Sequence, residues 1–196
     1  MITAYIITDP HSTLSSSLAA ETIDTLEQHN WSYKIWPAVN GFKLTDDNWR
    51  ELGIQLLPRG KTPSRPGALG CIHSHFRLWQ HCQKINEPIA VLEHDALAQS
   101  SFPQDLDLEQ GIWKLCAAGV LRHNDITGTW SRGSWAYTLT PLQAQSLIAF
   151  AREHGVQALD KQIGSNAVAW SSLGWDLFVH NPRPVLSSTV IKVYLA

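Results

Sequence analysis

Hydrophobic and polar positions follow two periods along this chain, and their alternation predicts the fold class. Thr3 to Thr8 reads as a strand. Asp9-Pro10-His11-Ser12 then forms a turn and a helix cap. Leu14, Leu18, Ala19, Thr22, Ile23 and Leu26 keep helical spacing to about His29. Tyr33 to Trp36 is a second short strand, closed by Pro37 and by Asn40-Gly41. A β-α-β opening of this kind predicts a parallel strand pair with a right-handed crossover. Thr45 caps a short helix to Leu52, and residues 57–67 read as a loop with Arg59, Lys61 and Arg65. A basic loop before a helix suits phosphates as well as it suits solvent. Leu69, Ile72, Phe76, Trp79 and Cys82 mark the core stripe of a helix from Leu69 to Ile85. Pro88-Ile89-Ala90-Val91-Leu92 is continuously apolar, as in a strand buried on both faces of a parallel sheet. Ile112 to Leu115 and Trp135 to Leu139 are further strands. Thr140-Pro141 opens a helix to about Glu153. A second helix is expected over 160–169, and a late strand over Trp175 to Val179. Strands alternating with helices predict an α/β protein with a mostly parallel central sheet flanked by helices.

Length and charge narrow the class. The 196 residues fit one domain, 1–196, large enough for a real core. A formal net charge of −2 and the lack of a basic block remove the electrostatic term that dominates nucleic-acid binding. No stretch has the length of a transmembrane segment, which leaves only peripheral membrane contact open. The N-terminus lacks the basic start and long apolar core of a signal peptide, so a cytoplasmic location is expected. Cys71, Cys82 and Cys116 form no CxxC pair and read as reduced thiols. The nine tryptophans are expected mostly in the core, with one or two free to stack on a sugar ring.

The apolar run 88–92 stops abruptly at Glu93-His94-Asp95. In open α/β sheets ligands bind outside the carboxyl ends of the strands. In extended backbone Glu93 and Asp95 would point to one side, Cα atoms roughly 7 Å apart. Both could then reach one hard divalent cation, which can hold a diphosphate as it leaves. An ordinary acidic turn after a strand has the same sequence. Cys71-Ile72-His73-Ser74-His75 resembles a metal cluster, but on a helix residues 71 and 75 share a face while 73 points away, so these three are not expected to bind zinc together. His75 falls on the core side near the helix start, as a structural histidine or a phosphate contact. Asp160 follows a loop and heads a helix, which suits either the dipole or a general base. The chain has no G-x-S-x-G, G-x-G-x-x-G or P-loop pattern.

Four segments together resemble glycosyltransferase family 25, which includes lipooligosaccharide and collagen galactosyltransferases. Ile35 to Gly41 resembles its aromatic-Pro-Ala-Val-Asp-Gly segment. Pro66 to His75, with Trp79, resembles its Gly-Glu-Ile-Gly-Cys…Ser-His…Trp block. Leu92-Glu93-His94-Asp95-Ala96 resembles Leu-Glu-Asp-Asp-Ala. Gly133 to Tyr137 through Ala144, then Leu159-Asp160, resembles the Ala-Tyr…Ala segment and the later Val-Asp. The resemblance implies a single GT-A-like domain. It implies inverting transfer of a hexose, usually galactose, from a UDP-sugar donor to a glycan acceptor, with a divalent metal, manganese or magnesium. By position, Glu93 and Asp95 become the metal and donor motif, Ser74 and His75 line the donor site, and Asp160 is the late acid and candidate base. His94 stands where the family has its middle acid, Ala68 where it has a glutamate, and no arginine occurs from Asp9 to Ser17. These departures keep a non-catalytic nucleotide- or sugar-binding relative in view. A metal-dependent phosphate-ester hydrolase is a third reading. Without an export signal, an envelope glycan such as lipopolysaccharide is a better expected acceptor than collagen.

Overall fold

The computed structural model describes residues 2–54, 56, 65–117, 119–173 and 175–181. A six-stranded sheet forms its centre, in the order β2 (Ser32–Pro37), β1 (Thr3–Thr8), β3 (Ile89–Glu93), β8 (Ala136–Leu139), β5 (Ile112–Lys114) and β9 (Trp170–Ser172). The pairs β1–β2, β1–β3 and β5–β9 are parallel, while β8 runs against both neighbours. The sheet is therefore mixed, with one reversed strand in six. Among the described residues no helix lies between β5 and β8 to carry the chain back across a face of the sheet, and β8 returns antiparallel. That intervening chain holds the hairpin β6 (Arg122–Asn124) and β7 (Gly128–Trp130). β4 (Ala96–Ala98) pairs with β10 (Phe178–His180) in a second small sheet.

Strand periodicity sorts the core into two layers. Tyr5, Ile7, Ile89, Val91, Tyr137 and Leu139 face α2 (Asp46–Glu51), α3 (Pro66–Ile85) and α4 (Pro141–His154). Ala4, Ile6, Ala90, Leu92 and Ala136 face α1 (Thr13–Gln28) and the β4–β10 pair. Ile89, Val91 and Leu92 are wholly buried, as the continuous apolar run predicts. Burial of each contributes about 1.5–3 kcal/mol relative to exposure.

The helix ends follow local chemistry. The Ser12 side chain accepts from Ser15 N and starts α1. Pro66 occupies the first turn of α3, so this helix begins three residues before the apolar stripe does. Thr140 and Gln143 form a capping box for α4, with Pro141 in the first turn. The helix expected over 160–169 is a single turn, α5 (Leu159–Gln162). Beyond it Ser165 N and Asn166 N donate to the Thr129 and Thr127 carbonyls of the hairpin region instead of continuing the helix. The late strand begins at Phe178, three residues after its expected start. Of the basic loop expected over 57–67, residues 57–64 lie outside the described residues, and Pro66 and Gly67 already belong to α3. Among the described residues no helix is long and apolar enough to cross a membrane.

Candidate functional site

A cavity of about 490 Å³ opens where β1, β2 and β3 end at their carboxyl termini. This is where an open α/β sheet places its ligand. Asp9 follows β1, Val39 follows β2, and Glu93, His94 and Asp95 close β3; all line the cavity. The first turns of α1 and α3 reach it through Ser12, Ser15 and Gly67. Two helix N-termini supply partial positive charge suited to phosphate. The wall between β2 and α3 is a backbone-to-backbone contact. A Cβ on Gly41 would lie 1.7 Å from the Pro66 carbonyl oxygen, and one on Gly70 would lie 2.5 Å from that of Val39.

β3 ends at Glu93, and His94 and Asp95 form a turn into β4, so the extended spacing expected over 93–95 is not realised. Each carboxylate has its own partners. Asp95 Oδ2 lies 2.9 Å from His180 Nε2 on β10. Asp95 Oδ1 is buried without a hydrogen-bond partner. Burial alone would raise the Asp95 carboxyl, but the His180 hydrogen bond and the charges of His94 and His180 outweigh it and hold it below its ordinary value. His180 is raised in turn, first by that hydrogen bond, against burial. The turn is pinned from both sides. Thr22 of α1 donates to the His94 carbonyl at 2.8 Å, and Asn181 N donates to the Asp95 carbonyl at 2.8 Å. The partnerless Asp95 oxygen belongs to a residue that lines the cavity, whereas Glu93 faces Cys71 and His75, so the two carboxylates do not converge on one point. A carboxylate oxygen such as that of Asp95 is the donor type that manganese or magnesium prefers.

Ser74 and His75 both line the cavity, from α3. Ser74 Oγ donates to Gly70 O at 2.7 Å and accepts from Val39 N at 2.8 Å, which fastens the loop after β2 to the helix. His75 is fully buried, with Nδ1 2.8 Å from Tyr137 Oη. The indole N–H of Trp79 donates to the same Oη at 2.8 Å. Because the indole can only donate, the arrangement that satisfies all three groups has Tyr137 donating to Nδ1. The imidazole proton is then assigned to Nε2, which has no hydrogen-bond partner and lies 3.7 Å from Glu93 Oε1. The Cys71 thiol points to that oxygen too, at 3.7 Å. Burial, then the Glu93 charge, push the thiol well up, so it is neutral.

Asp160 heads α5 and is not among the residues lining this cavity; its Oδ1 accepts from Ser134 N at 3.1 Å. Its charge acts on Cys71 and on Lys114, whose Nζ is buried against Ser131 O at 2.6 Å. Three contributors escaped the sequence reading: His180, Asp9 and the Trp79–Tyr137 pair. The signal for His180 was the one used for Glu93, a polar side chain at the end of an apolar strand. Among the described residues no tryptophan lines the cavity, and Trp135 lies edge-on to its liner His180 at 5.7 Å between ring centroids.

Comparison with known proteins gives one consistent result. The sequence model of glycosyltransferase family 25 (LPS biosynthesis protein) matches residues 19–132, a stretch that includes Ser74, His75, Glu93 and Asp95. A glycosyltransferase 25 family member of Aedes aegypti is 33% identical over 113 residues, 52% of this chain and 19% of that protein. Procollagen galactosyltransferase 1-B of Xenopus laevis is 33% identical over 111 residues, 50% of this chain and 18% of the relative. Human procollagen galactosyltransferase 2 is 31% identical over 111 residues, 50% of this chain and 18% of its own length. The aligned part thus spans about a fifth of these relatives.

Proposed function

The chain belongs to glycosyltransferase family 25, and from that premise we propose that it is an enzyme transferring a hexose, galactose by preference, from a UDP-sugar to a glycan hydroxyl. The observation that carries the reading is the cavity at the carboxyl ends of β1–β3, walled by helix N-termini and holding the partnerless Asp95 oxygen. The helix N-termini suit the diphosphate. Asp95, through its partnerless oxygen, is the residue that would hold a divalent cation, manganese or magnesium. When bound, such a cation supplies positive charge that stabilises a departing nucleoside diphosphate. His75 and Ser74 keep the inner wall fixed, Ser74 through Val39 and Gly70, His75 through Tyr137. Asp160 is the candidate base that takes the acceptor proton. Asp160→Asn keeps a side-chain oxygen for the Ser134 amide, so lost turnover with retained donor binding would support that role.

The GT-A-like architecture, the inverting course and the cytoplasmic location belong to the same reading. The family description names lipopolysaccharide synthesis and two animal relatives are named for procollagen; a sugar hydroxyl on an envelope glycan is the acceptor we favour. One observation favours a second reading, a binding protein without turnover: His94 lines the cavity where the family carries an acid.

The test is calorimetric titration of UDP, with and without Mn²⁺, on wild type and Asp95→Ala, followed by transfer assays with UDP-hexoses. Metal-dependent binding lost in the variant, with sugar transfer by the wild type, is the expected result. Full transfer by Asp95→Ala overturns the assignment. UDP binding without transfer or donor hydrolysis selects the second reading.

A further inference from the structure

Cys71 and His75 are four residues apart on α3, so they share a helix face. That face meets the end of β3, where Glu93 Oε1 lies 3.7 Å from Cys71 Sγ and 3.7 Å from His75 Nε2. The three ligand atoms all fall within 4.8 Å of one another. Tetrahedral zinc, with bonds of roughly 2.3 Å to sulfur and 2.0–2.1 Å to nitrogen or oxygen, has ligand–ligand edges of about 3.3–3.6 Å. Closing the triangle to those edges needs shifts of about 1 Å or less. Sequence spacing alone could not find this set, because its third member comes from a different element.

A second observation points to the same spot. His75 is completely buried, yet its Nε2 has no hydrogen-bond partner and faces the other two side chains. Nδ1 is already fastened to Tyr137, which is in turn fastened to Trp79. Outer partners of this kind orient a metal-bound imidazole. All three residues line the cavity, so an ion has a route from solvent.

We infer that Cys71, His75 and Glu93 form a site for a thiophilic divalent cation such as Zn²⁺, distinct from the harder position at Asp95. A thiolate and an imidazole select borderline and soft ions, whereas carboxylates favour magnesium and manganese. On binding, the Cys71 S–H bond breaks, its proton goes to solvent, and sulfur donates its pair to the metal. The imidazole keeps one proton, moved from Nε2 to Nδ1, and Tyr137 then accepts from both His75 and Trp79. An ion held there fills the inner end of the cavity. The inference does not depend on the transferase reading, because its readout is the metal's own spectrum.

The experiment is a Co²⁺ titration of the full chain, followed by displacement with Zn²⁺ in competition with a chromophoric chelator. Wild type is expected to bind one equivalent with a near-ultraviolet thiolate-to-cobalt band and intense visible bands of a tetrahedral site. Cys71→Ser should lose the thiolate band and weaken Zn²⁺ binding by roughly 100-fold or more, beyond the usual cost of losing an outer partner. Asp95→Ala should keep both. Near-ultraviolet circular dichroism verifies that the variants are folded. No thiolate band in wild type, or unchanged binding in folded Cys71→Ser, overturns the site. Loss of the band in Asp95→Ala overturns its separation from the harder position.

Discussion

Tyr137 holds the inner wall of the cavity together, and removing its hydroxyl should have a measurable cost. Tyr137→Phe deletes one oxygen that serves two wholly buried partners, Trp79 Nε1 and His75 Nδ1, each at 2.8 Å. Leaving a buried polar group without a partner costs about 1–3 kcal/mol. Two such groups give about 2–6 kcal/mol, reduced by about 1 kcal/mol because phenylalanine no longer has a hydroxyl to desolvate. A net loss of about 3 kcal/mol follows. For a chain of this length that lowers Tm by about 6–12 °C. Urea unfolding followed by tryptophan fluorescence measures the loss directly. Tyr5→Phe is the internal control: its hydroxyl meets a single partner, His81 Nε2 at 3.0 Å, in a part-buried pair. It should cost less than about 1 kcal/mol. The reasoning is refuted if Tyr137→Phe stays within about 0.5 kcal/mol of wild type, or if both variants cost the same.

The glycines of the cavity wall give a second prediction. Gly41→Ala would drive a Cβ into the Pro66 carbonyl, whereas a Cβ on Gly67 meets nothing within 4 Å. Gly41→Ala should therefore destabilise the protein and weaken UDP binding, while Gly67→Ala should be neutral or stabilise α3 by about 0.5–1 kcal/mol; calorimetric scanning of both variants decides. A third prediction concerns pH. Burial lowers Lys114 to about 8, with Asp160 opposing. The unfolded state then binds more protons than the native state between about pH 8 and 10.5. Stability should rise with pH across that window, by about 3 kcal/mol for this group. Urea midpoints of wild type and Lys114→Met, compared at pH 7.5 and 9.5, should diverge in favour of wild type at the higher pH. An unchanged difference refutes the assignment.

What the sequence revealed and what it hid divide along a physical line. β3 was legible because a strand buried on both faces leaves no polar position, and its polar ending at Glu93 marked the sheet edge where the cavity lies. α1, α3 and α4 were legible because their apolar stripes and caps are local. The reversal of β8 was not, since its strand periodicity is the same in either direction. Only the absence of a crossover helix before it carries that information. α5 stopped early because Ser165 and Asn166 give their amides to the hairpin region, a competition between distant segments that spacing along the chain does not record.

The site follows the same division, and the turn at His94 shows why. Read as a strand, Glu93-His94-Asp95 sends two carboxylates to one side and one metal between them. Bent into a turn, it sends Glu93 toward α3 and Asp95 toward β10. Two sets of partners of different chemistry arise from one tripeptide: Glu93 faces the His75 imidazole and a thiol that burial pushes well up, and Asp95 faces the His180 imidazole, which their hydrogen bond raises. Residue identity was sufficient to name the acids. Their roles depend on His180 and Cys71, which meet the acids only after the sheet has formed. The position of His94 between the two sets also explains how the chain can lack the family's middle acid and still present a carboxylate to each side.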